Sequence, residues 1–104
     1  MPITRKEEQI LLAIAILKDD AYLVGIKDYL EKITVKNVSL TSVHLPLSRL
    51  ETRGFIISEF GESTAVRGGR RKKIYSLSKE GLAALEEYKR ISDSLWKEYI
   101  NSAT

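Results

Sequence analysis

The sequence of 104 residues is 43% hydrophobic and 30% charged and carries a formal net charge of +3. These values fit one small globular domain and exclude a disordered chain. The absence of cysteine excludes disulfides, thiolate metal sites and cysteine nucleophiles. The apolar run at residues 10–17 is too short to span a bilayer and lacks the flanks of a secretory signal, so we expect a cytoplasmic protein without a membrane partner.

The first predicted helix begins at Thr4, because Thr4 and Glu7 have the spacing of a capping box. It continues through residues 10–17, ILLAIAIL, which are apolar on every side of the helix. A helix of this kind must be covered on two sides, and a domain of this size covers one. We therefore expect a partner, an identical chain, on the other side.

Two further helices are predicted before Gly54. One spans residues 22–33, where apolar residues recur at helical spacing, and residues 35–38 follow as a short strand or a loop. The next helix begins at Ser39 or Thr41, both capable N-caps, and ends at Arg53. Pro46 inside it favours a late start or a distorted first turn, and Gly54 predicts a Schellman C-cap. The buried face of this third helix is expected to consist of Val43, Leu47 and Leu50.

A β-hairpin is predicted from residues 55–60 and 72–77, with residues 61–69 as its loop. Tyr75, on the second strand, is assigned to the core or to a hinge in preference to DNA contact. Clustered cations at the tip and on the second strand repel one another unless an anion faces them. A nucleic-acid phosphate backbone is the expected anion, and the alternative is a solvated loop. The cations are Arg67, Arg70, Arg71, Lys72 and Lys73.

The last predicted helix begins after Ser78 and reaches about Ile100. Apolar and aromatic residues recur along it at spacings of three and four, as in a helix that packs on another helix. It is too long to pack wholly on this domain. The predicted fold is therefore mainly α with a small β-hairpin. Residues 1–78 form a winged helix-turn-helix DNA-binding domain, and residues 79–104 form a dimerisation helix in the same structural unit.

At two places the sequence resembles the PadR family of bacterial and archaeal transcriptional regulators. Residues 47–56, LSRLETRGFI, are similar to the end of that family's recognition helix, and residues 69–81, GRRKKIYSLSKEG, are similar to its wing and the start of the next helix. The resemblance extends over nearly the whole chain. It implies a winged-helix dimer that represses promoters and is joined through its first and last helices. The short C-terminal helix resembles a branch of the family in which some members respond to aromatic or drug-like ligands.

The sequence departs from the family pattern early in the third helix. The family commonly has a Tyr-Pro pair there, whereas this chain has His44-Leu45-Pro46. The tyrosine is replaced and the proline is displaced by one position, which leaves the operator sequence and the start of the helix open.

The exposed positions near the start of the third helix are the expected groove contacts, with Arg49 available to a phosphate or a guanine edge. The alternative role of the serines and the threonine is helix capping. A single histidine makes neither a triad nor a metal site. The predicted DNA contacts on this helix are Thr41, Ser42, His44, Leu45, Ser48 and Arg49.

Dimer contacts are predicted on the first and last helices. Trp96 is either plain packing between subunits or one wall of an effector pocket, which Tyr99 and Ile14 would complete for a small aromatic ligand. The predicted dimer contacts are Leu11, Ile14, Leu85, Tyr88, Leu95, Trp96 and Tyr99.

No Gly-rich phosphate loop, metal-ligand cluster or nucleophile motif occurs in the sequence, so neither an enzyme nor a cofactor is expected. The sequence predicts a homodimeric regulator of transcription that binds double-stranded DNA, represses, and is released by a small aromatic effector. The alternative is a winged-helix module for protein–protein interaction without DNA binding.

Overall fold

The computed structural model describes residues 2–61 and 72–103. The order of its four helices and its hairpin is the predicted one, which confirms a mainly helical fold with a two-stranded hairpin. A short 3-10 turn, Lys18–Asp20, separates the first two helices. The elements are α1 (Arg5–Leu17), α2 (Leu23–Thr34), α3 (Leu40–Thr52), β1 (Ile56–Phe60), β2 (Lys73–Leu77) and α4 (Lys79–Ser102).

The capping box at the start of α1 is confirmed. The backbone N–H of Thr4 donates to Glu7 Oε1 at 2.8 Å, and the N–H of Glu7 donates to Thr4 Oγ1 at 3.1 Å. The apolar run that follows is divided between two surfaces, since one side is buried and the other, with Leu12 43% and Ile16 56% exposed, faces outward. The helix therefore has an uncovered apolar side, as predicted.

The core lies where α1, α2 and α3 meet and where β1 covers their end. The largest of the fully buried side chains come from all four elements, so the hydrophobic burial that stabilises the domain joins them into one unit. These side chains are Ile10, Leu11, Ile14, Ile26, Val43, Leu47, Leu50 and Ile56.

The third helix begins at one of the two predicted caps and ends where predicted. Ser39 is its N-cap, and the helix continues through Pro46, so of the two effects expected of this proline the late start does not occur. Gly54 has a φ of 80°, and its N–H donates to the carbonyl of Glu51, while the N–H of Phe55 donates to the carbonyl of Leu50. This pair of bonds is the predicted Schellman stop.

The hairpin is antiparallel, and each strand begins one residue later than predicted. It is joined to the start of α2 by a backbone bond of 2.9 Å from the N–H of Tyr75 to the carbonyl of Ala21. Tyr75 is 7% exposed and belongs to the core, as predicted. The segment at residues 35–38 is a loop rather than a strand.

The last helix is attached to the domain only by its first half. Ser78 caps it by accepting from the N–H of Gly81 and donates its hydroxyl to the carbonyl of Gly54, at 3.1 and 2.6 Å. Gly81 is required here, because a Cβ would lie 2.0 Å from the carbonyl oxygen of Phe55. Leu85 is the last residue of α4 that is buried. The remainder projects, which agrees with a radius of gyration of 15.9 Å against roughly 13 Å for a compact chain of this length.

Within the described residues, the structure contains no helix with the length and apolarity that a membrane span requires.

Candidate nucleic-acid interface

The outer face of α3 is the first part of the candidate interface. The apolar residues of α3 point into the core, and the outward residues recur three and four positions apart, which puts them on one side of the helix. Leu45 is 51% exposed although it is apolar. The outward residues are Thr41, His44, Leu45, Ser48, Arg49 and Thr52.

Five of the six predicted α3 contacts are thus exposed, and Ser42 is the exception. Ser42 is half-buried; its N–H donates to Ser39 Oγ at 3.1 Å, and its hydroxyl donates to the Ser39 carbonyl at 2.8 Å. These are the bonds of a helix N-terminus. Because the hydroxyl proton of Ser42 is used in the second bond, this side chain can contact another molecule only as an acceptor, through its oxygen.

The position of α3 is fixed by the turn before it. Glu31 Oε2 accepts from the N–H of Val38 at 3.1 Å, while Glu31 Oε1 accepts from Lys27 Nζ at 2.8 Å. The bonds from Lys27 and then Val38 hold the pKa of the Glu31 carboxyl below its usual value. The carboxylate thus joins the end of α2 to the loop that leads into α3, which orients the helix relative to the domain.

The two arginines near the end of α3 have different surroundings. Arg49 is exposed, and its side chain makes no hydrogen bond or ion pair within the part of the chain that the structure describes. Arg53 is half-buried, pairs with Glu7 at 3.3 Å, donates to the carbonyl of Pro2 at 3.1 Å and lies 4.6 Å from the centre of the Phe55 ring. Arg49 is therefore available to an outside anion, and Arg53 ties α3 to the N-terminal segment.

The hairpin is the second part of the candidate interface. Of its five predicted contacts, Arg67, Arg70 and Arg71 lie outside the described residues. Lys72 is exposed and its Nζ lies 4.1 Å from the centre of the Tyr22 ring. Lys73 is exposed too, but its Nζ pairs with Glu51 Oε1 at 3.1 Å. Both lysines thus lie near an aromatic ring, since Lys73 Nζ is 5.5 Å from the centre of the Tyr75 ring, but among the described residues only Lys73 has a carboxylate partner.

The sequence reasoning missed Glu51, which bonds both Lys73 and Ser58. Glu51 is the only acid within α3. Its position, one turn after Leu47 and beside the buried Leu50, puts it on the edge of the helix between core and solvent. That placement, together with a serine in β1 and a lysine at the start of β2, was the available signal.

The third functional feature is the exposed part of α4 after Tyr88, which we call the arm. Leu95, Trp96 and Tyr99 are 61–66% exposed, and the Trp96 and Tyr99 rings meet edge to face at 5.9 Å. Tyr88 is half-buried and packs against the core. A row of large apolar side chains in solvent marks a surface that binds another molecule.

Three of the predicted dimer contacts are corrected by the structure. Leu11, Ile14 and Leu85 are only 0%, 1% and 8% exposed, because they are packed in the core of their own chain. They therefore leave no side-chain surface for a partner. On α1 the outward apolar residues are Leu12 and Ile16.

The predicted effector site is corrected in the same way. A shallow hollow of about 390 Å³ lies beside the aromatic pair, and Ile14 is not part of it. Because Ile14 is buried, it does not line a site on this surface. The hollow is lined by Arg5, Ser92, Leu95, Trp96 and Tyr99.

Comparison with solved structures gives the class of the fold. A transcriptional regulator from Clostridium thermocellum is 25% identical, with 93% of this chain and 87% of that chain covered and a TM-score of 0.70. A PadR-like transcription factor from Bacteroides fragilis is 25% identical, with 96% and 93% covered and a TM-score of 0.72. A PadR-like transcriptional regulator from Bacillus cereus is 24% identical, with 94% and 90% covered and a TM-score of 0.75. No protein-family model and no curated protein matches the sequence.

The chain is thus a winged-helix protein of the class found in regulators of transcription. Within that class its fold is similar to those of PadR-like regulators, the family that the sequence resembles. The similar structures are regulators of transcription, the class of protein that the sequence predicts.

Proposed function

We propose that the chain is a DNA-binding repressor of transcription that acts as a homodimer. The observation that carries the proposal is the outer face of α3, which is mostly polar, contains no acid, and has the exposed Arg49, whose side chain is unpaired among the described residues. A helix with such a face, followed by a hairpin that carries cations, is the arrangement with which winged-helix proteins bind duplex DNA.

On this proposal α3 lies in the major groove. Arg49 contacts a phosphate or the O6 and N7 atoms of a guanine, and the half-exposed Leu45 contacts a thymine methyl group. Thr41, His44 and Ser48 face base edges or sugar–phosphate oxygens. The cations of the hairpin, Arg67, Arg70 and Arg71 with Lys72, contact phosphates or the adjacent minor groove.

The arm of α4 is the proposed dimer surface, because its apolar side chains are exposed to water in the single chain. The apolar side chains on the outward side of α1 are exposed as well. A two-fold pair in which each arm packs on the other chain covers both surfaces. The two copies of α3 would then read half-sites one helical turn of DNA apart, about 34 Å, or a multiple of it.

The repressor activity and its release complete the proposal. A planar aromatic effector would bind beside Trp96 and Tyr99, between the two arms, and would change the angle between the subunits. That change alters the separation of the two α3 helices and hence their fit to the operator. The effector is expected to lower operator affinity.

Mobility-shift titration of genomic fragments at two salt concentrations tests DNA binding. Counterion release predicts an affinity that falls with salt, by roughly 0.9 in the logarithmic slope for each phosphate contact. The variant Arg49→Ala removes the unpaired guanidinium of α3 and is expected to weaken binding about 10-fold or more, whereas Lys32→Ala on α2 serves as the matched loss of one charge. No binding, or binding that ignores salt, would favour a module for protein–protein interaction instead.

A further inference from the structure

One carboxylate joins the proposed recognition helix to both strands of the hairpin. Glu51, in the last turn of α3, accepts from Ser58 Oγ of β1 at 2.6 Å through one oxygen. Its other oxygen accepts from Lys73 Nζ of β2 at 3.1 Å. We call Glu51, Ser58 and Lys73 the helix–hairpin bridge.

The bridge is also an electrostatic unit. The Glu51 side chain is 33% exposed and that of Lys73 is 43% exposed, so the pair lies at the surface but is partly shielded. The bond from Ser58 and then the ammonium of Lys73 hold the pKa of the Glu51 carboxyl below its usual value, against the effect of burial. The bond to Glu51 raises the pKa of Lys73. Both groups therefore stay charged, and their charges cancel.

Lys72 provides the internal comparison. Its ammonium lies over the Tyr22 ring at 4.1 Å, where no carboxylate of the described residues neutralises it, and the contact leaves its charge available to a phosphate. The ammonium of Lys73 must leave Glu51 before it can bind a phosphate. Such a move would expose an unpaired carboxylate on the helix proposed to enter the groove, where phosphates would repel it.

We propose that Glu51 is a positioning residue that sets the angle of the hairpin against α3, and that Lys73 is part of this bridge and not a phosphate contact. This inference rests on the proposed function, since the angle matters only if both elements contact one DNA duplex. It divides the hairpin cations into those that bind DNA and one that holds the hairpin in place.

Titration of an operator fragment at several salt concentrations tests this assignment of the hairpin cations to DNA contact or to the bridge. The double variant Glu51→Gln with Lys73→Gln removes both charges and both charged contacts. We expect operator affinity to fall about 3- to 10-fold, with the slope of log affinity against log salt changed by less than about 0.3, because no phosphate contact is lost. The control Lys72→Gln is expected to lower the slope by roughly 0.9.

Ser58→Ala is the second test, because it removes the bond to β1 and keeps every charge. It is expected to weaken operator binding several-fold with the slope unchanged, and it keeps the inference testable if the double variant does not fold. Lys73→Arg keeps the ion pair, and its operator affinity is expected to stay within about 2-fold of that of the wild type. Circular dichroism and the solution mass of each variant serve as checks of fold and assembly.

The outcomes separate this inference from the function on which it rests. If the double variant lowers the salt slope by about 0.9, the proposed role of the bridge is wrong. The same holds if the double variant binds as tightly as the wild type. In both cases the proposed DNA binding is unaffected. An unchanged affinity for Ser58→Ala would overturn it as well. A wild-type protein that binds no fragment would instead remove the proposed function, and the inference with it.

Discussion

The helical core and the arm of α4 contain the same kinds of side chain in opposite surroundings. Leu47 and Leu50 of α3 are fully buried, whereas Leu95 and Trp96 of α4 are 66% and 61% exposed. The core residues have partners within the chain, and within the described residues the arm has almost none beyond its own turn. The difference teaches that the chain completes one hydrophobic unit by itself and leaves a second apolar surface exposed, which on the proposal above a second copy of the chain covers.

The largest expected effect is on the free energy of unfolding, and it comes from comparing a buried leucine with an exposed leucine of the same helix, α3. Leu47→Ala should lower the free energy of unfolding by about 2–5 kcal/mol, because it leaves a cavity in a packed core. Leu45→Ala is the matched control: it removes the same atoms from a side chain that is 51% exposed, and it should change the unfolding free energy by less than about 0.5 kcal/mol. Chemical denaturation measures both.

The two variants also separate folding from recognition. Leu45→Ala should weaken operator binding although it leaves stability nearly unchanged, because the proposal puts Leu45 in the groove. Equal losses of stability for the two variants would contradict the burial pattern of α3. Unchanged operator binding for Leu45→Ala would remove this residue from the interface.

The next effect concerns the arm. Leu95→Glu puts a charge into the proposed dimer surface and should raise the dimer dissociation constant roughly 30-fold or more, which corresponds to about 2 kcal/mol. Lys97→Glu is the control, because Lys97 lies about 200° around α4 from Leu95 and is exposed. Light scattering over a dilution series measures the solution mass.

A Leu95→Glu protein that keeps the mass of the wild type would show that the arm is not the dimer surface. The exposed apolar side chains of the arm would then have to be covered by a molecule other than a second copy of this chain. Helical content should stay within a few per cent of the wild type in both variants, since neither substitution breaks the helix.

Much of this architecture could be predicted from the sequence, because its signals are local. The capping box of Thr4 and Glu7 and the Schellman stop at Gly54 each depend on residues within one turn, and both occur as predicted. The resemblance in residues 47–56 and 69–81 supplied the arrangement of the elements.

Other features depend on three-dimensional contacts and could not be predicted in this way. An all-round apolar helix does not indicate which side its own chain covers, so Leu11 and Ile14 were assigned to a partner although they are buried in the core. The bridge from Glu51 to Lys73 joins residues far apart in sequence. A count of cations could therefore not distinguish Lys73 from Lys72.

A smaller effect is expected at the hairpin tip. Arg70→Ala with Arg71→Ala should leave the dimer intact and weaken DNA binding across all sequences, with the salt slope lower by up to about 1.8 if both side chains contact phosphates. Salt-series titration of an operator and of an unrelated fragment measures this. Unchanged affinity for both fragments would contradict the assignment of these cations to DNA.

The aromatic pair on the arm gives a spectroscopic readout. Trp96 is the only tryptophan, so its fluorescence reports on this surface alone. Planar aromatic compounds are expected to quench it at saturation and to lower operator affinity about 5- to 10-fold, in the range usual for coupling between two sites. Trp96→Leu should abolish the ligand effect on DNA binding. A varied panel without any response would leave Trp96 as packing between the arms.

The smallest expected effect is the pH dependence of the bridge. Because the pKa of Glu51 is lower in the folded state than in the unfolded one, its contribution to stability is present above the unfolded pKa, near 4.3, and is lost as the pH falls toward the folded value. The groups that face it are Ser58 and Lys73, and the ammonium of Lys73 keeps its proton over this range. Since the pair is partly exposed, its contribution should stay below about 1 kcal/mol. Denaturation of the wild type and of Glu51→Gln at pH 3 and pH 6 measures it: the wild type should lose more stability on acidification than the variant, and equal losses would show that the carboxylate is not stabilised by the bridge.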